Sequence, residues 1–79
     1  MTFSEEVKLL IRKLVLQNAV KYNGKASPGA IVGGILGDRP ELKEHMKTLM
    51  TEINHIVQEI NSLDPDIQKE ELLRIDASA

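Results

Sequence analysis

Apolar positions recur every three to four residues through most of this chain, so helices are the expected elements. The first runs over about residues 4–22. Val7, Leu10, Ile11, Leu14, Val15, Asn18 and Tyr22 share one face of it. Leu9, Leu16 and Val20 fall on nearly the opposite side. A helix with a single core stripe does not need that second stripe. Two explanations stay open: the helix is central and contacted from two sides, or its back meets something outside this chain. Ser4 is a candidate N-cap, with Thr2 competing through capping-box spacing to Glu5.

Asn23-Gly24 ends this pattern, with Gly24 as the residue that takes positive φ. Ser27-Pro28 restarts a helix over about 28–36, with Ser27 as N-cap and Pro28 at the first helical position. Gly29, Gly33 and Gly37 are spaced at four, and Gly33-Gly34 lies inside the helix. Interior glycine costs about 1 kcal/mol relative to alanine, so a tight crossing against a neighbouring helix is expected there. Asp38 is the expected N-cap of a third helix over about 39–63, with Glu41 returning the reciprocal bond. Leu42, Met46, Leu49, Met50, Ile53, Ile56, Val57, Ile60 and Leu63 make this the clearest stripe in the chain. Asp64-Pro65 ends it and caps a fourth helix, about 65–75, whose few apolar residues (Ile67, Leu72, Ile75) predict weak packing. Residues 76–79 are expected to be a tail or the start of a linker. The fold class is therefore all-α, a small bundle of about four helices in a single domain, 1–79.

Composition narrows the function. The 79 residues include no cysteine, so neither a disulfide nor a thiolate metal site is available. No run of about 18 apolar residues exists to span a membrane. The N-terminus has no signal-peptide pattern. Phe3 and Tyr22 are the only aromatics, which leaves little for stacking on nucleic-acid bases. Residues 1–47 carry eight Lys/Arg against five Asp/Glu (+3), and residues 48–79 carry two against seven (−5). The basic half suits a phosphate backbone or an acidic partner; an uneven solvated surface is the simpler alternative.

No catalytic constellation is evident. His45 and His55 are ten apart on the polar flanks of the third helix, with no metal-ligand spacing to a carboxylate. Ser27 has no base nearby and reads as a cap. Gly29-x4-Gly34 is followed by Ile35, not by the lysine of a phosphate-binding loop. One candidate site remains. The N-terminus of the second helix offers unpaired N–H groups and a positive dipole end, flanked by Lys21 and Lys25. Those groups could hold one backbone phosphate of an RNA; a plain capped turn is the alternative.

The segments Gln17-Asn18-Ala19-Val20-Lys21, Gly24-Lys25-Ala26, Pro28-Gly29-Ala30, Pro40-Glu41-Leu42 and Glu59-Ile60-Asn61-Ser62-Leu63 occur in this order. Together they resemble the N-terminal helical accessory domain of archaeal-type glutamyl-tRNA synthetases, over about residues 5–75. The resemblance implies a non-catalytic part of a cytoplasmic enzyme whose ATP binds in a separate catalytic domain. It implies no cofactor and no catalytic residue within this chain. It also implies packing against that catalytic domain and assistance in tRNA binding. On that reading Lys21, Lys25, Lys13 and Ser27 are the expected tRNA phosphate contacts. Leu9, Leu16 and Val20 form the expected interdomain or partner patch. The alternative is a protein-interaction module that docks another synthetase or a translation factor without touching RNA.

Overall fold

The computed structural model describes residues 3–78. Its helices are α1 (Glu5–Lys21), α2 (Pro28–Asp38), α3 (Met46–Asn61) and α4 (Pro65–Ser78), with a 3-10 segment over Pro40–His45 between α2 and α3. No strand occurs among the described residues, and the all-α class holds. Ser4 caps α1, its hydroxyl accepting from the Val7 N–H at 3.3 Å. Thr2 lies outside the described residues.

The core is aliphatic. α3 contributes Leu49, Ile53, Ile56, Val57 and Ile60, all buried and on the stripe read from the sequence. Each such side chain contributes roughly 1.5–3 kcal/mol when fully buried. α1 buries Val7, Ile11 and Val15 against it, and also Leu16 and Ala19 on its other flank. α2 adds Ile31 and Ile35. α1 packs against all three other helices, so the central-helix explanation of its two stripes is the observed one. Tyr22, expected on the core face, is instead 55% exposed, because the chain has left the helix at that residue.

Four local expectations need correction. α2 continues through Gly37 to Asp38, so Asp38 is a helical residue and not the cap of the next helix. With that cap gone, and with Pro40 unable to donate, the chain opens with an i to i+3 bond from Leu42 N–H to Arg39 C=O (3.1 Å). The tight turn brings Leu42 into the core, and α3 begins only at Met46. The glycine crossing is also absent: a Cβ at Gly29, Gly33 or Gly37 would meet nothing within 4 Å. Only Gly34 faces a neighbour, Leu14 of α1, at an ordinary 3.6 Å. The reason is that α2 turns Ile31 and Ile35 inward, which leaves Gly29, Gly33 and Gly37 on the solvent side. Finally, α4 runs past Ile75 to Ser78, so Asp76 and Ala77 are helical. Asp64 caps α4 as expected, its carboxylate accepting from the Asp66 N–H at 2.9 Å.

Candidate functional site at the α1–α2 turn

α1 ends at Tyr22. The Gly24 N–H returns to the Ala19 carbonyl at 2.7 Å, the long bond of a Schellman-type stop. Asn23 (φ 60°) and Gly24 (φ 96°) both take left-handed conformations, so Asn23 shares the role expected of the glycine alone. The following residues, Lys25 to Ser27, form no helix of their own. Side-chain amides from three helices hold this loop in place. Asn61, the last residue of α3, accepts from the Ala26 N–H at 2.8 Å. Asn18 of α1 accepts from the Ser27 N–H at 2.8 Å. Gln68 of α4 donates to the Gly24 carbonyl at 3.1 Å.

Among the described residues, Gln68 is the only buried polar side chain, with no exposed surface. Its Nε2 also donates to the carbonyls of Ile60 (2.8 Å) and Leu63 (3.4 Å). One amide therefore joins the α1–α2 turn, the end of α3 and the start of α4. Its Oε1 is buried and has no protein partner. Sequence reasoning missed these three amides. Asn18 was placed on the core face of α1 but given no partner; Asn61 and Gln68 had no assigned role. A polar residue at an otherwise core-facing helical position was the available signal.

The loop presents its charges outward. Lys21 and Lys25 are exposed, and the Lys21 ammonium lies 5.5 Å from the centroid of the Tyr22 ring. Ser27 occupies the N-cap position of α2 with extended backbone, but its hydroxyl makes no capping bond. Gly29 and Ala30 are exposed in the first turn, where N–H groups have no intrahelical acceptor. No acidic residue stands in that turn. The arrangement is thus a rigidly held, positively polarised helix start between two lysines.

The remaining candidates are placed elsewhere. Lys13 sits two turns earlier on α1 and pairs with Asp76 of α4 at 3.3 Å, so its charge is neutralised at the α1–α4 seam. Leu16 is fully buried and leaves the expected surface patch, because α4 covers that side of α1. Val20 is half-buried beside Pro65 and Gln68. Leu9 alone stays open, at 51% exposure. It borders a groove of about 400 Å³ with Leu10 and Ile75 as its apolar lining and Glu6, Lys13, Asp38 and Arg39 around it. Arg12 is a further charged node, reaching Glu59 of α3 at 3.0 Å and Glu71 of α4 at 2.7 Å. Burial disfavours its charge, but the hydrogen bonds to Glu71 and Glu59 outweigh that and raise its pKa above the ordinary arginine value. Among the described residues, no group of three His, Asp or Glu side chains could hold a metal ion. Among the described residues, no helix is long and apolar enough to cross a membrane.

Fold and turn together define a small all-α module with a preorganised basic corner. No family model and no solved structure matches it. Curated relatives do. The chain is 41% identical over 70 residues to the glutamate–tRNA ligase of Pyrococcus abyssi, which covers 89% of this chain and 12% of that enzyme. It is 49% identical over 61 residues to the enzyme of Cenarchaeum symbiosum, covering 77% of this chain and 11% of that one. The Nitrosopumilus maritimus enzyme is 41% identical over 68 residues, 86% of this chain and 12% of its own. The chain is homologous to a small domain of the archaeal glutamate–tRNA ligases. It spans about 12% of the length of the relatives it matches.

Proposed function

We propose that this chain serves as the N-terminal accessory domain of a cytoplasmic glutamyl-tRNA synthetase, assisting tRNA binding and packing against the catalytic domain. ATP and the aminoacylation chemistry belong to that catalytic domain, and the present residues supply no catalytic group. The observation that carries the reading is the identity to archaeal glutamate–tRNA ligases across most of the chain. The coding sequence beyond Ala79 tests it directly. Continuation into a class I nucleotide-binding domain supports the synthetase role, and a stop codon removes it.

Within that reading, the α1–α2 turn contacts a tRNA phosphate. Lys21 and Lys25 supply charge, and the N–H groups of Gly29 and Ala30 supply directed donors. Ser27 contributes a hydroxyl that no capping bond engages. Lys13 contributes less, because Asp76 already holds it. Replacing Lys21 and Lys25 together by alanine in the full enzyme should weaken tRNA binding several-fold. Loss of that one phosphate contact should also lower the slope of log affinity against log salt by roughly 0.7–0.9. Unchanged affinity with an unchanged slope would remove the phosphate contact.

A second reading has its own support in the open groove beside Leu9 and the uncovered glycine face of α2. There the module docks another synthetase or a translation factor and touches no RNA. Retention of a translation protein by the immobilised domain after nuclease treatment, with no tRNA retained, would favour this reading.

A further inference from the structure

We propose that α4 is a releasable strap, which lifts from α1 as a unit while α1, α2 and α3 stay folded. The inference does not depend on the synthetase reading. It rests on how differently α4 is attached from the other helices. α1, α2 and α3 each pack on the other two, whereas α4 packs extensively along α1 but has no comparable packing on α2 or α3, and reaches the end of α3 through Gln68, which donates to the Ile60 carbonyl. No apolar side chain of α4 is fully buried: Leu72 and Ile75 are partly covered, and Ile67 and Leu73 are exposed.

Besides the partial packing of Leu72 and Ile75, α4 is fastened by polar contacts spread along its length. Gln68 grips the end nearest the Ser62–Asp64 break. Further along, Glu71 pairs with Arg12 at 2.7 Å and Asp76 with Lys13 at 3.3 Å. The ion pairs are partly exposed, so salt screens them. The grip at Gln68 is incomplete, because its buried Oε1 has no partner. These features let α4 pivot at residues 62–64 and open from its C-terminal half. Opening bares the stripe beneath it. Leu16 lies one turn from Arg12 and one turn from Val20, both of which α4 reaches, and is fully buried only while α4 is down. Val15, equally buried, faces the other helices and stays covered in the opened form.

The absence of native cysteine permits a clean test. Chains carrying Leu16→Cys or Val15→Cys are exposed to a small thiol reagent under native conditions. The cysteine at 16 should be modified at least tenfold faster than the one at 15. The ratio should rise a further threefold or more in 0.5 M sodium chloride, and likewise when Glu71→Gln is added. Equal rates at the two positions would overturn the strap, since then only global unfolding exposes either. Amide exchange on the unmodified chain guards against damage from the cysteines. Amides of residues 69–77 should exchange at least tenfold faster than those of α1 and α3, share one denaturant slope, and speed up with Glu71→Gln. A graded loss of protection that ignores Glu71→Gln is simple end fraying and would refute the proposal.

Discussion

Gln68→Glu changes one buried NH2 group into oxygen without altering the shape of the side chain. In the native chain that nitrogen faces three carbonyls, of Ile60, Gly24 and Leu63, at 2.8, 3.1 and 3.4 Å. An ionised glutamate would set a negative oxygen against the same three acceptors, with no exposed surface for water. Folding therefore keeps the carboxyl protonated. Full burial raises such a group by up to about 3–5 units above the free glutamate value of about 4.3. Its folded pKa is then raised above its unfolded value. Stability is accordingly retained below about pH 4, where both states are protonated, and falls as pH rises through the interval between the two values. At about 1.36 kcal/mol per unit, the interval from 4.3 to pH 7 removes at most about 3.7 kcal/mol. The protonated acid still loses one donor, a further cost of about 1 kcal/mol at every pH. Lifting of α4 hydrates the carboxylate, so the loss of global stability at neutral pH is capped at the free energy that holds α4 down, and beyond that the variant populates the opened form. Thermal and urea unfolding of variant and parent, followed by circular dichroism at pH 4 and pH 7, measures the difference directly. At about 4–8 °C per kcal/mol for a domain this size, the gap in Tm should be about 5 °C at pH 4 and wider at pH 7. A gap equal at both pH values and under about 1 kcal/mol would show that Gln68 does not face those carbonyls.

The other expectations concern the same turn and the core beneath it. Gly24→Ala should destabilise by more than about 1 kcal/mol in denaturant titrations, since φ is 96° and a Cβ would stand 3.3 Å from Pro65. Gly33→Ala should do the reverse, stabilising by about 0.5–1 kcal/mol, because it is helical, exposed and faces open space. Asn61→Ala leaves the Ala26 N–H without its acceptor and should cost about 1–3 kcal/mol, with faster amide exchange at Ala26 than at the α3 core. Leu49→Ala should cost about 2–5 kcal/mol. Leu73→Ala, on the exposed face of α4, should stay within about 0.5 kcal/mol of the parent in the same titration.

What the chain states locally, it states well. The stripe from Leu49 to Ile60 has helical spacing and needs no partner to be recognised, and it is the buried face of α3. Ser4, Pro28 and Asp64 mark helix starts through bonds or restrictions confined to a few residues, so the sequence alone locates them. The two lysines and the helix start at the α1–α2 turn are adjacent in sequence and stay together in the fold. Tertiary structure decided what depends on distant residues. Periodicity shows that Leu16 is on the back of α1, but α4, some fifty residues later, determines that it is buried. Lys13 reads as a free basic residue until Asp76 arrives beside it. The glycines of α2 suggest a crossing, yet Ile31 and Ile35 set which face turns inward, and Gly29, Gly33 and Gly37 stay open. Asn18, Asn61 and Gln68 carry no sequence motif, because an amide becomes a clamp only when a backbone group without an acceptor or donor is brought within 3 Å of it. Helix formation is written in spacing along the chain, whereas the grip on the turn is written in distances across it, which only packing can set.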